Sequence, residues 1–173
     1  MSKNKILEVK QKTNVNIGAA KRALLKTDYN IDAAVSLIKE EGMRIARQRR
    51  FKITQFSGLG SYLHSNQKVG ALVEVACESE STVNSEYFKE LCNNIAKQVA
   101  ASGCVYISKD DVPNELSIKI DSRDELSTFI QEKCLLEQQY LKNDKLTVDE
   151  FMLEFIYTHQ ENIEIKRFIR YEV

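Results

Sequence analysis

The fold is decided by residues 62–88, which read YLHSNQKVGALVEVACESESTVNSEYF. Apolar residues alternate through residues 69–77, a pattern typical of a strand with one buried face. Residues 58–64 are predicted to form its antiparallel neighbour, joined to it by a turn at residues 65–67. The two strands carry a short polar loop, residues 78–82, to the start of a helix. Because paired strands hold such a loop rigidly, we expect function to lie in it.

A helix is predicted to follow this loop, since Ser85 is a good N-cap residue and Gly103 ends the helical pattern. Between them the apolar residues recur at the spacing of one helix face, namely Phe88, Leu91, Cys92, Ile95, Ala96 and Val99. Residues 104–107 are predicted to form a short third strand.

Two capping boxes mark further helices, one beginning at Ser122 and one at Thr147. The apolar residues behind them are Leu126, Phe129, Ile130 and Cys134 in the first, and Val148, Phe151, Met152, Phe155 and Ile156 in the second. The final segment, residues 162–173, alternates again and is predicted to be a strand. One face of it is expected to carry Ile163, Ile165, Ile169, Tyr171 and Val173, interrupted by Arg167.

The N-terminal residues 1–42 predict a three-helix, UBA-like module. In its third helix Asn30 is the expected N-cap and Gly42 the expected end. Residues 43–57 are interpreted as a basic connector, which is either a contact for RNA or an acidic partner, or a solvated linker. Residues 58–173 are assigned to an α+β core domain. The predicted fold class is α+β, with the helical module followed by a three- to four-stranded, mainly antiparallel sheet packed with helices.

Composition narrows the class of protein. The 173 residues include 25 basic and 25 acidic side chains, and this balance argues against a dedicated nucleic-acid binder. No apolar run approaches the roughly 20 residues that span a bilayer, and no signal peptide precedes the first helix, so an intracellular, soluble protein is expected. The four cysteines form no C-x-x-C pair and are interpreted as buried, reduced thiols.

Catalytic motifs are missing from the sequence. It contains neither a glycine-rich phosphate loop nor a G-x-S-x-G elbow. His64 is interpreted as a surface or hydrogen-bonded residue. Glu78 and Glu80 could form a paired-carboxylate site for a metal or for acid–base chemistry. The alternative is a solvated acidic loop used for protein recognition.

Several strings match one protein family in the same order. Residues 13–24, TNVNIGAAKRAL, follow a T-G-x-G-x-x-x-x-K-x-A-L signature, with Asn14 and Asn16 in place of its glycines. Since Asn is the next most tolerant residue for positive φ, the turn is expected to survive. The strings NQKVGALVEV, LLEQ, KNDK, ENI and RFIRY begin at positions 66, 135, 142, 161 and 167. Together these strings resemble elongation factor Ts, in its short bacterial or organellar form.

The loop departs from that family. Where the family reads C-x-T-D-F-V, this chain reads C-E-S-E-S-T from Cys77. Glu80 keeps the carboxylate of the family's Asp. Ser81 replaces an aromatic residue that, in the family, wedges between helices of elongation factor Tu near its magnesium site. Truncating a buried Phe costs about 3–5 kcal/mol, so a weaker wedge is expected.

The resemblance implies a guanine nucleotide exchange factor that acts by protein–protein binding, without catalytic residues, metal or cofactor of its own. It would bind elongation factor Tu with GDP and promote GDP release by disturbing the magnesium and phosphate site. The implied partner-binding residues are Ser79, Glu80, Ser81, Thr82 and Val83 in the loop, and Thr13, Asn14, Asn16, Gly18, Lys21, Arg22 and Leu24 in the N-terminal module. The alternative is a factor Tu-binding or chaperone-like protein with weak or no exchange activity.

The resemblance also bears on partners and location. Neither a membrane nor a specific nucleic acid is an expected partner, and the expected compartment is the bacterial cytoplasm or an organellar matrix. Some short members of the family form symmetric dimers, so the resemblance makes residues 58–173 a core domain of the dimerisation type. Here Phe168, Ile169 and Tyr171 could form such an interface, or they could belong to an ordinary buried strand.

Overall fold

The computed structural model of the protein describes residues 3–13, 15–120 and 122–173. Its helices are α1 (Lys3–Thr13), α2 (Ile17–Lys26), α3 (Ile31–Arg49), α4 (Glu80–Val83), α5 (Glu86–Ser102), α6 (Asn114–Lys119), α7 (Arg123–Lys133) and α8 (Val148–His159). Its strands are β1 (Phe56–Leu63), β2 (Val69–Cys77), β3 (Gln139–Tyr140), β4 (Asn143–Thr147) and β5 (Ile163–Glu172). The chain divides into two compact units, residues 1–48 and 49–173.

The first unit is the predicted group of three helices. Its core is a cluster of small and aliphatic side chains, namely Val9, Ala20, Ala23, Leu24, Ala34 and Ile38. Asn30 caps α3 as predicted, since its side-chain oxygen accepts a hydrogen bond from the backbone N–H of Ala33 at 3.0 Å. The predicted end of this helix at Gly42 is wrong, because α3 continues to Arg49. A glycine costs only about 1 kcal/mol inside a helix, and the residues after Gly42 include good helix formers.

The second unit is built on a three-stranded antiparallel sheet in the order β1-β2-β5. The predicted hairpin is confirmed, with Phe56 opposite Cys77 and Leu63 opposite Gly70. The long helix α5 packs on β1 and β2 and is capped as predicted. The Ser85 side chain accepts from the N–H of Phe88, and Gly103 ends the helix in a left-handed conformation with φ of 62°.

The predicted third strand at residues 104–107 is wrong. This segment forms one isolated parallel bridge, between Tyr106 and Cys134, instead of a strand of the sheet. Its backbone groups find hydrogen-bond partners outside the sheet, since Tyr106 donates to the carbonyl of Lys133 and Leu135 donates to the carbonyl of Tyr106. In the described part of the chain, β2 is flanked by β1 on one side and by β5 on the other, so the centre of the sheet has no free position.

The predicted face of the last strand is wrong in its second half. The pairing of β5 with β2 shifts register between Glu74 and Val75, which leaves Lys166 as an extra residue. Before this bulge Ile165 lies on the buried face, whereas after it Phe168 takes that side and Ile169 turns outward. A single inserted residue exchanges the two faces of a strand, and alternation alone cannot reveal it.

The two capping boxes differ in the structure. At Thr147 the box is complete, because Thr147 accepts from the N–H of Glu150 and the Glu150 carboxylate accepts from the N–H of Thr147. At Ser122 the serine half forms, with Glu125 as donor. Helix α8 buries Val148, Met152, Leu153 and Ile156, whereas the apolar stripe of α7 is only half-buried. The predicted α+β class is confirmed.

The Thr147 cap gives a first prediction. Thr147→Ala is expected to lower the free energy of unfolding by about 1 kcal/mol, since it removes an N-cap acceptor. Urea denaturation followed by circular dichroism measures the change. Thr158→Ala is the matched control on the same helix: its hydroxyl only bonds back to the exposed carbonyl of Glu154, so a much smaller change is expected. Equal losses for the two variants would contradict the importance of the cap.

Candidate functional site

The predicted polar loop is a single helical turn, α4, placed directly after β2. Glu80 and Ser81 point into solvent at its outer side, Ser79 and Val83 are half-buried, and Thr82 is buried. Of the five residues predicted for this site, two therefore form its accessible tip. The other three connect the tip to the sheet.

The base of the turn is fixed by a network around Glu78. The Arg49 guanidinium lies 2.9 Å from the Glu78 carboxylate, and the backbone N–H of Asn162 donates to the same carboxylate at 2.5 Å. The Asn162 side chain is buried and donates to the carbonyl oxygens of Arg50 and Lys52. Glu78 is therefore a structural anchor, which removes half of the carboxylate pair suggested by the sequence.

Ser79 fixes the turn from a second direction. Its hydroxyl donates to the Glu161 carboxylate at 2.6 Å, and it also lies 3.1 Å from the hydroxyl of Ser81 and 3.2 Å from that of Thr82. The Thr82 carbonyl accepts from the Ser85 hydroxyl at 2.6 Å, which joins the turn to the cap of α5. Hydrogen bonds to charged groups contribute about 1.5–3 kcal/mol, so this network fixes the backbone of the turn that carries Glu80 and Ser81.

An aromatic stack lies beside the turn. The rings of Tyr87 and His159 are parallel to within 9° with centroids 4.0 Å apart, and Phe155 lies 4.2 Å from His159. The Tyr87 hydroxyl is 3.2 Å from that of Thr82. Burial lowers the pKa of His159, and the nearby Glu161 carboxylate, which favours the charged form, does not cancel that shift.

These supporting residues were missed by sequence reasoning. Arg49, Glu161 and Asn162 contact the turn although they lie 29 to 84 positions from their partners along the chain. The string ENI at positions 161–163 was the one available signal, because it carries two of the three anchors. Nothing in the sequence indicated Tyr87.

Two arginines of the basic connector form ion pairs with acidic residues of the second unit. Arg49 is paired with Glu78, and Arg50 lies 2.5 Å from the Asp149 carboxylate at the start of α8. These two cations satisfy acidic groups of their own unit, which favours the linker interpretation over an RNA contact for them.

The N-terminal module presents one face of α2 to solvent. Gly18, Lys21 and Arg22 are exposed, as are two apolar side chains that sequence reasoning missed, Ile17 and Leu25. The other predicted residues have internal roles or are not described. Leu24 is in the core, Thr13 donates to the carbonyl of Val9, Asn16 caps α2 by accepting from the N–H of Ala19, and Asn14 lies outside the described residues. Asn16 has φ of −70°, so the expected positive φ is wrong there.

The outer face of the sheet carries a second feature. Its exposed apolar side chains are Leu59, Leu63, Leu72, Ile169 and Tyr171. Leu72 pairs with Ser61 on one side and Ile169 on the other, so the patch crosses all three strands. An apolar patch of this kind on a sheet face marks an interaction surface.

Other candidate groups have ordinary roles. The exposed His64 is hydrogen-bonded to the Tyr62 hydroxyl at 3.1 Å, as the sequence indicated. The cysteines are free and buried, and burial raises the pKa of each thiol, to about 12 for Cys92. Among the described residues, no three His, Cys, Asp or Glu side chains are grouped so that they could hold a metal ion. None of the helices described combines the length and apolar character needed to cross a membrane.

A fixed polar turn, an exposed helix face and an apolar sheet face are the features of a protein-recognition module. Comparison with known proteins identifies the family to which this module belongs. The family model for Elongation factor TS matches residues 2–122. The chloroplastic elongation factor Ts of Cyanidium caldarium is 34% identical over 97% of this chain and 91% of its own length. Elongation factor Ts of Methylacidiphilum infernorum is 31% identical over 100% of this chain and 95% of its own length. The chain belongs to the elongation factor Ts family.

Proposed function

We propose that the protein is a guanine nucleotide exchange factor for elongation factor Tu. The observation that carries this proposal is the α4 turn, whose tip residues Glu80 and Ser81 are exposed while three anchors hold its base. The backbone that carries the Glu80 carboxylate is fixed, so the turn can approach the phosphate and magnesium region of a partner without rearrangement. Preorganisation of this kind lowers the entropic cost of binding.

The mechanism is allosteric linkage. The protein binds the nucleotide-free state of elongation factor Tu more tightly than the GDP-bound state, so by reciprocity its binding weakens the affinity for GDP by the same factor. The negative charge of Glu80 disturbs the site at which the partner binds magnesium and the phosphates of GDP. No residue of this chain needs to touch the guanine base. The protein acts in the compartment that holds elongation factor Tu, either a bacterial cytoplasm or an organelle.

The exposed face of α2 is proposed as a second contact. Ile17 and Leu25 flank Lys21 on it, which combines apolar area with positive charge. Gly18 is exposed in the first turn of the same helix, where the absence of a side chain leaves the backbone accessible. This composition suits an acidic-rimmed apolar groove on the nucleotide domain of elongation factor Tu.

Release of a fluorescent GDP analogue from the cognate elongation factor Tu, followed by stopped flow, tests the proposal. The wild-type protein is expected to accelerate release, and Glu80→Ala is expected to slow the accelerated rate at least about tenfold, as for an interface hot spot. Glu90→Ala is the control, because it removes another exposed glutamate, which lies on α5 instead of on the α4 turn. The proposal fails if wild-type protein leaves the release rate unchanged, and the role of Glu80 fails if both variants behave alike.

The alternative is a partner of elongation factor Tu that binds it with little exchange. Ser81 favours it, since this exposed tip residue presents a hydroxyl where the family has an aromatic ring. Ser81→Phe separates the two functions. A holding protein would bind elongation factor Tu tightly and gain exchange activity in this variant, whereas an efficient exchange factor would gain little.

We also propose that the outer sheet face joins two copies of the chain. An isologous dimer would bury the same patch on both copies and cover the exposed leucines. Sedimentation velocity of the wild-type protein and of the Leu72→Glu variant tests this dimer.

A further inference from the structure

The strongest unassigned feature next to the α4 turn is Tyr87, in the first turn of α5. One face of its ring is covered by His159, yet the residue keeps 38% of its surface exposed. The ring is therefore both held in place on one side and accessible to another protein. It loses little conformational freedom when another protein covers it, because its rotamer is already held by the stack.

Tyr87 is also connected to the tip by hydrogen bonds. Its hydroxyl contacts that of Thr82, Thr82 contacts Ser79, and Ser79 contacts both Ser81 and the Glu161 carboxylate. The Tyr87 ring and the exposed tip residues therefore belong to one rigid surface. A protein that covers the tip comes within reach of the ring.

The tip itself offers little apolar area. Its exposed residues are the polar Glu80 and Ser81, and the apolar side chain of Val83 is half-buried. Interface hot spots are most often Trp, Tyr or Arg side chains, and small polar residues seldom serve in this way. Tyr87 is the exposed aromatic residue that is hydrogen-bonded to the turn in the described structure.

We infer that Tyr87 is the aromatic anchor through which this surface grips elongation factor Tu, with His159 holding the ring in its binding orientation. The inference rests on the proposed exchange function and adds to it the residue that supplies binding energy beside the charged tip. The counterpart on elongation factor Tu is expected to be an apolar side chain next to its nucleotide site, packed on the exposed part of the ring.

Affinity for nucleotide-free elongation factor Tu, measured by isothermal titration calorimetry, tests this inference. Tyr87→Ala is expected to raise the dissociation constant by about 30-fold or more, the loss typical of a hot spot. Tyr87→Phe keeps the ring and is expected to change it less than about threefold, which separates the ring from its hydroxyl. Tyr157→Ala is the control, since it removes a half-buried tyrosine from α8 away from this stack.

A second measurement does not depend on the stability of the variants. Wild-type protein labelled with fluorotyrosine is titrated with elongation factor Tu, and Tyr87→Phe identifies the resonance of Tyr87. A shift or broadening of that resonance is expected on binding. If the wild-type protein binds while this resonance and the affinity of Tyr87→Ala stay unchanged, the inference is overturned and the proposed function stands. If wild-type protein does not bind elongation factor Tu, both are overturned.

Discussion

Gly60→Ala is expected to destabilise the second unit by about 3 kcal/mol or more, the upper end of the range for overpacking a core. At this residue β1 lies against the backbone of α5. A Cβ atom on Gly60 would lie 2.2 Å from the carbonyl oxygen and 2.7 Å from the Cβ of Cys92. The first of these atoms belongs to a helix backbone, which cannot turn away as a side chain can. Gly60 also pairs with the buried Val73, so β1 cannot move away from α5 without breaking its pairing with β2.

Gly70→Ala is the matched control for this experiment. Gly70 lies in the neighbouring strand, and its added Cβ would meet the Leu63 side chain and the Tyr62 carbonyl oxygen at 3.4 Å. The same chemical change should therefore cost much less there. Urea unfolding of both variants measures the difference, and equal stability of the two would show that β1 and α5 are not held at this distance. Because the α4 turn connects the sheet to α5, Gly60→Ala should also reduce GDP exchange.

Gly60 illustrates which parts of the fold the sequence could predict. The alternation in β2, the stripe of α5 and the caps at Ser85 and Thr147 depend on neighbouring residues, and all were predicted correctly. The need for a glycine at position 60 depends on how closely a helix 32 positions away approaches the strand. Likewise, the bulge at Lys166 is set by pairing across the sheet, and the extension of α3 past Gly42 shows that one weak helix former does not outweigh its neighbours.

The candidate site likewise has features that the sequence could predict and features that depend on tertiary folding. The position of the turn between β2 and α5 followed from the strand pattern, and the protein-binding role proposed for it followed from the resemblance. The anchors Arg49, Glu161 and Asn162 were not predictable, because tertiary folding brings them to Glu78 and Ser79. The loop motif therefore indicated residues 79–83 as a group, whereas the surrounding packing determines that only Glu80 and Ser81 of them are exposed and that Tyr87 lies beside the turn.

Leu72→Glu is expected to convert the proposed dimer into a monomer. Leu72 is 43% exposed and lies on the central strand of the outer sheet face, between Ser61 and Ile169. In the isolated chain a glutamate there remains solvated, so the fold should be retained. In the dimer, symmetry would bury two such carboxylates opposite apolar side chains, and each unpaired buried charge costs several kcal/mol. The dissociation constant should therefore rise by at least about 100-fold.

Sedimentation-velocity ultracentrifugation over a range of concentrations measures this change. Leu141→Glu serves as the control, since it places the same charge at an exposed leucine that lies outside the three-stranded sheet. A wild-type protein that stays monomeric at high concentration would exclude the dimer outright. If the dimer forms but tolerates Leu72→Glu, another surface joins the copies. Measuring GDP exchange by the monomeric variant would then show whether one copy or both bind elongation factor Tu. Activity equal to wild type means that one α4 turn acts alone. Reduced activity means that elongation factor Tu is bound by both copies.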